Sequence, residues 1–337
     1  MIHRGDAPRT AWLRQGACWL LVLAPTIGWT GDGFKAPSLL PTARSTAADD
    51  IDENFYRALQ NVQPGNSATA TRKAAMEQLP LSELPPEARQ KAHGVLKGLG
   101  LYRHLPTLGF DADPAVYQYL IENPVTAVST WKAMEISRLT LRDFGDGKYF
   151  ADAGDGSVGH VEVWKCTPAE TLIYCDGAFK SPLLTKPIIA RSIMRLQTRF
   201  YKDNTGAPRV EHTGDVFVEF PSQTVETVAR VISPVSYSIA DRNFKQLSLY
   251  VHLMSQAMVR HPEWVNAMAR RMEIEDAEKA SFLRVAQTAQ VSAEKRAMEL
   301  MQPVPVEEVL APLRRSILGE ETTPIRAASL ERAGVRE

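Results

Sequence analysis

Along the chain the spacing of apolar positions changes twice. From Ile51 to Val62, Ala68 to Leu79 and Pro86 to Leu99 the apolar residues recur at three- and four-residue steps, which predicts a small N-terminal helical region over 51–100. Leu105 to Phe110 reads as extended. Asp113-Pro114 then supplies a capping side chain and a first-turn proline for a helix reaching Ile121, and after Asn123-Pro124 a second short helix carries Val128, Trp131 and Met134. Past Glu135 the pattern becomes strand-like at Ile136–Arg142, Lys148–Ala153, Val158–Cys166 and Thr171–Cys175. Gly145-Asp146-Gly147 and Gly154-Asp155-Gly156 mark turns between these runs. Short links between successive strands predict an antiparallel meander.

The hairpin Ile188–Tyr201 with Arg209–Phe220, closed around Asp203-Asn204-Thr205-Gly206, carries its own register. Setting Tyr201 opposite Arg209 places Arg199 by Glu211, Arg195 by Asp215 and Arg191 by Glu219 on one face. The other face then pairs Thr198 with His212, Leu196 with Gly214, Met194 with Val216 and Ser192 with Val218. A one-residue slip destroys both patterns. The charged row is expected to be a solvent-exposed ladder. After an amphipathic stretch from Ser222 to Ile232, Pro234 opens a long helix to about Arg260, whose apolar stripe includes Phe244, Leu247, Tyr250, Met254 and Met258. Residues 262–337 form a charged, helix-prone extension with a frayed tail.

At the N-terminus Arg4, Arg9 and Arg14 precede an apolar run from Ala17 that breaks at Pro25 and ends near Trp29. That run is shorter than the ~20 residues a membrane-spanning helix needs, so 1–29 reads as an export signal, with a short buried helix or a disordered leader as the other reading. A Pro/Ala/Thr/Ser-rich linker over 30–50 follows, and the expected location is periplasmic or secreted. Cys166 and Cys175 flank a four-residue hairpin loop. Antiparallel pairing sets Cys166 against Thr171 and Cys175 against Glu162, too far apart for a disulfide, so both are expected to be free.

Composition narrows the function classes. With 39 Lys plus Arg against 39 Asp plus Glu and 44% hydrophobic residues, the chain can build a sizeable core and has no global attraction for nucleic acid. No HExxH, CxxC, G-x-S-x-G or P-loop is present. The sequence therefore points to no metal and no cofactor.

An extended segment, two short helices, an antiparallel meander and a long C-terminal helix follow the order of the helix-grip fold. Phe110-Asp111-Ala112-Asp113-Pro114-Ala115-Val116-Tyr117, Trp131 and the helix from Ser233-Pro234 to Met258 resemble the START-like superfamily of lipid-transfer and polyketide-cyclase relatives, over about 102–260. The resemblance implies an α+β fold in which an antiparallel sheet wraps a long C-terminal helix, with extra N-terminal and C-terminal helices. It also implies a sheet/helix cavity for a lipid or isoprenoid-like molecule. Ser192, Met194, Leu196, Thr198, His212, Val216 and Val218 from the hairpin, with Tyr250 and Met254 from the helix, would line it or else simply fill a core. The loop 176–187, with Phe179, Leu183 and Leu184, would be a gate, a membrane-touching tip or a plain covering loop. Two rival functions follow from the same residues: a cofactor-independent enzyme using His212 as acid or base, and a module binding a protein partner through its terminal helices.

Overall fold

The computed structural model describes residues 56–179, 188–221 and 234–301. The chain divides into two compact units, 1–293 and 294–337. The described part of the first is a mixed α+β assembly, and the whole description comprises seven helices and one nine-stranded antiparallel sheet. The expected export signal and linker, the stretch 222–232 and the tail after Met301 lie outside the described residues.

The strands are β1 (Gln60–Gln63), β2 (Leu99–His104), β3 (Thr107–Asp111), β4 (Thr140–Asp143), β5 (Lys148–Asp152), β6 (Val158–Cys166), β7 (Glu170–Phe179), β8 (Ile188–Lys202) and β9 (Pro208–Glu219). The helices are α1 (Thr69–Glu77), α2 (Pro86–Lys97), α3 (Pro114–Glu122), α4 (Pro124–Ala133), α5 (Pro234–Arg260), α6 (Pro262–Arg271) and α7 (Asp276–Met301). The order across the sheet is β1-β3-β9-β8-β7-β6-β5-β4, with β2 also paired to β9.

Proline sets several boundaries. Pro114, Pro124 and Pro262 each occupy the first turn of a helix, where the missing N–H costs nothing, and Asp113 accepts a hydrogen bond from the Ala115 amide at 2.9 Å. The turn after β4 is held by Gly145, Asp146 and Gly147 at φ of 82°, 51° and 70°, a left-handed run that few other residues tolerate.

The β8–β9 register is the one the charge pattern specifies: Arg199 faces Glu211, Arg195 faces Asp215, and Thr198 faces His212. The exposed ladder is corrected. Arg199 does reach Glu211 at 2.8 Å, and Arg191 lies 3.8 Å from Glu219 while bonding Asp176 at 3.1 Å. Arg195, however, bonds Glu170 at 2.6 Å and Gln78 at 3.1 Å, and Asp215 takes Tyr102 and His104 instead. The reason is burial. Ala75, Leu79, Leu84, Ala88, Ala92 and Val95 of the N-terminal helical layer pack on Tyr102, Leu172, Tyr174, Ile193 and Phe217, covering the middle of that face.

Four further expectations change. The helix expected over 51–62 is not found in its described part: 56–59 form a turn and a bend, and β1 follows because Gln60 and Asn61 pair with Gly109 and Leu108 of β3, while 51–55 lie outside the described residues. Leu99 begins a strand that the helical pattern hid. The loop expected over 176–187 is shorter, since Asp176–Phe179 continue β7 and pair with Arg191–Ile188; Leu183 and Leu184 lie outside the described residues. Cys166 faces Thr171 as expected, but a bulge between Val163 and Lys165 sets Cys175 opposite Val161, not Glu162. Neither cysteine is in a disulfide.

Candidate ligand site

The face of the sheet opposite α1 and α2 packs on α3–α7 and forms the larger core. Ser192, Met194, Leu196, His212, Val216, Val218 and Met254 are buried there, and Thr198 and Tyr250 are half-buried at it. Helix α5 reaches this layer beside β9 and β3. Ser248 bonds His212, the Ser255 hydroxyl accepts from the Asp113 amide at 2.8 Å, and His252 bonds the Asp111 carbonyl. Near its start, Asp241 holds the Arg103 guanidinium by two hydrogen bonds, so the polar run Asp241-Arg242-Asn243 is in part an ion-pair anchor.

His212 is the centre of the polar part. Its Nδ1 lies 3.0 Å from the Tyr117 hydroxyl and its Nε2 2.7 Å from the Ser248 hydroxyl, while Tyr117 lies 2.9 Å from Thr198 Oγ1. Phe244 stacks on the imidazole at 4.5 Å and Phe110 meets it edge-on at 5.0 Å. With no carboxylate among its recorded partners, burial pushes the His212 pKa down to about 3, so the ring is neutral.

Neutrality fixes every proton in the chain of contacts. Ser248 spends its only proton on the Phe244 carbonyl at 2.7 Å, so His212 must carry its hydrogen on Nε2 and donate it to Ser248. Nδ1 is then an acceptor, Tyr117 donates to it, and Thr198 donates to Tyr117. A second hydroxyl pair behaves alike: Thr130 donates to the Ala127 carbonyl at 2.7 Å, which leaves Tyr250 to donate to Thr130 at 2.7 Å. Burial holds the Tyr250 phenol well above its usual range. These groups have no proton left for a ligand.

Next to them the sheet carries a row of small residues. Ala151 faces Gly159, Gly159 faces Gly177, and Gly177 faces Ala190, across four strands. A Cβ on Gly177 would stand 2.3 Å from the Val158 carbonyl oxygen, so glycine is what lets β6 and β7 close together here. The neighbouring row runs Tyr149, Val161, Cys175, Ser192, Val218. Burial pushes the Cys175 thiol up to about 12.

Sequence reasoning found the His212–Thr198 pair and the apolar wall but missed Tyr117, Ser248, Thr130 and the small-residue row. Ser248 lies one helical turn after Phe244 on the apolar stripe of α5, a spacing that could have flagged it.

No family model matches the chain, and no curated protein matches it. Among solved structures, a conserved protein from Geobacillus kaustophilus is 12% identical, with a TM-score of 0.24 over 42% of this chain and 91% of its own. An uncharacterised protein from Rhizobium leguminosarum is 18% identical, with a TM-score of 0.24 over 45% of this chain and 91% of its own. Neither is described as START-like.

Proposed function

We propose that this chain is an exported, START-like binding or carrier protein that takes a hydrophobic small molecule between the sheet and α5. The observation that carries this reading is the row Ala151–Gly159–Gly177–Ala190, which gives four adjacent strands no side chain larger than a methyl on the face of the larger core. Mostly apolar walls with a few placed polar groups are the usual makeup of a small-molecule site. Export rests on the basic and apolar pattern of residues 4–29 alone. The enzyme reading is the weaker one, because both nitrogens of His212 are engaged by hydroxyls and its proton is already donated.

Native mass spectrometry of the chain recovered after export, followed by organic extraction, tests the proposal. A co-purified apolar molecule is the expected result. An empty chain that takes up nothing from a broad lipid panel overturns it. Ala190→Leu adds a second arm: filling a real space leaves stability unchanged or higher and blocks uptake, whereas overfilling a solid core costs about 1–3 kcal/mol.

A further inference from the structure

Most polar groups of the larger core have protein partners; among the described residues the Trp131 indole N–H on α4 lacks one, and on the sheet itself Ser192 stands out. It is 2% exposed, it sits in the middle of β8 between Cys175 and Val218, and its hydroxyl has no hydrogen-bond partner among the described residues. A strand residue has no carbonyl one helical turn back to receive its proton, so nothing local satisfies it. Buried hydroxyls are nearly always paired. Here the group is one row away from Gly177 and Ala190, where side-chain volume is lowest.

The surroundings restrict what could pair with it. Ala190, Met194 and Leu196 along β8, and Ile173, Cys175, Val216 and Val218 across from them, carry no charge, and the thiol is held protonated by burial. Leu247, Tyr250 and Met254 of α5, which belong to the same core, are uncharged as well. His212 is neutral, and its proton, like those of Tyr117, Thr198, Ser248 and Tyr250, is already given to a protein acceptor. A carboxylate or phosphate would find no cation here, and the unpartnered donors of this core are, among the described residues, only the neutral Ser192 hydroxyl and the Trp131 indole N–H; an ammonium would meet no counter-charge beside Ser192. Either ion would lose its hydration without replacement.

We propose that the site selects a neutral amphiphile with a single hydrogen-bonding group, such as a long-chain alcohol or ester, and that Ser192 receives that group. This rests on the carrier reading and specifies its ligand class.

Three probes with one chain length separate the possibilities: 1-dodecanol, methyl dodecanoate and dodecanoate at pH 8, titrated calorimetrically into the delipidated full chain. The alcohol and the ester are expected to bind, and the carboxylate at least about 100-fold more weakly. Ser192→Ala is expected to weaken dodecanol by about five- to tenfold. In the unliganded chain the same substitution should raise the melting temperature, because it removes an unpaired buried hydroxyl; a serine with a structural hydrogen bond would lower it. Dodecanoate binding as tightly as dodecanol, or Ser192→Ala leaving dodecanol affinity unchanged, overturns this inference while the carrier reading stands. Failure of all three probes and of the wider lipid panel overturns both.

Discussion

The two faces of the central hairpin are built from the same two strands and solve burial in opposite ways. On the α1/α2 face the buried polar groups are ions. Asp215, 3% exposed, accepts from Tyr102 at 2.7 Å and contacts His104 Nδ1 at 2.9 Å. Arg195 and Lys165 both close on Glu170, and Lys165 also reaches Glu83. On the α5 face, around His212, the buried polar groups are imidazole, hydroxyls, an amide and a thiol, and the one acidic residue among those described, Asp113, caps the start of α3. Ion pairs cut off from water are strongly destabilising to break, so the first face ties the N-terminal helical layer down. Neutral groups cost less to separate, and the second face is the one that a ligand could part.

The sharpest way to break this contrast is Asp215→Ala. It strips the acceptor from the buried Tyr102 hydroxyl, whose pKa is held well above its ordinary value by burial and then by Asp215. The expected loss is about 3 kcal/mol in urea unfolding. A loss under about 1 kcal/mol would mean that the buried carboxylate does not tie β2 to β9. A smaller effect comes from pH. His212 stays neutral in the folded chain down to about 3, against 6.5 for the unperturbed group, so the unfolded state binds the proton first as pH falls. Its contribution is complete above pH 6.5 and is lost on going down towards 3, at about 1.4 kcal/mol per pH unit, or about 2 kcal/mol between pH 6.5 and 5. Urea midpoints of the native chain and of His212→Phe, compared at both pH values, isolate that share. The variant should lack it, and equal slopes in the two proteins would refute a neutral, enclosed imidazole.

How much of this was legible depends on range along the chain. The β8–β9 register was readable because alternating charge and apolar residues over fifteen-residue β8 leave one alignment that satisfies both faces. The long helix was readable from Pro234 to Arg260 because proline and a continuous apolar stripe mark it locally. What each charge touches was not readable. Arg195 faces Asp215 in the ladder yet bonds Glu170 on the next strand and Gln78 just beyond α1, a choice made only when the N-terminal layer docks. One bulged residue, Trp164, moved Cys175 from Glu162 to Val161, and no turn signal announces it. β1, four exposed residues with no apolar alternation, is strand only because β3 pairs with it. At the site, the His212–Thr198 pair follows from register, whereas Tyr117 and Ser248 arrive on two separate helices.

At pH 7, His212→Phe on its own probes the neutral face at constant charge. The phenyl ring keeps the stack with Phe244 but leaves the Tyr117 and Ser248 hydroxyls without the imidazole. Ser248 still has the Phe244 carbonyl and Tyr117 still has Thr198, so each loses one partner while keeping another, and the expected cost is about 1 kcal/mol. A cost as large as that of Asp215→Ala would erase the distinction between the faces.

The smallest effect sharpens the ionic side. Arg199 and Arg195 stand four residues apart on the same face of β8, and each bonds a glutamate. Arg199 is 68% exposed in its side chain, so water screens the pair with Glu211 and both partners remain solvated when it breaks. Arg199→Ala should therefore change stability by less than about 0.5 kcal/mol, and less still in high salt. Arg195 is 11% exposed in its side chain, and Arg195→Ala leaves Glu170 with Lys165 but strips Gln78 of its donor, which should cost several times more. Parallel urea titrations of the two variants read the ratio directly. Equal losses would show that the helical layer adds nothing to the pairs beneath it, and that the charged row behaves along its whole length as a solvent-exposed ladder.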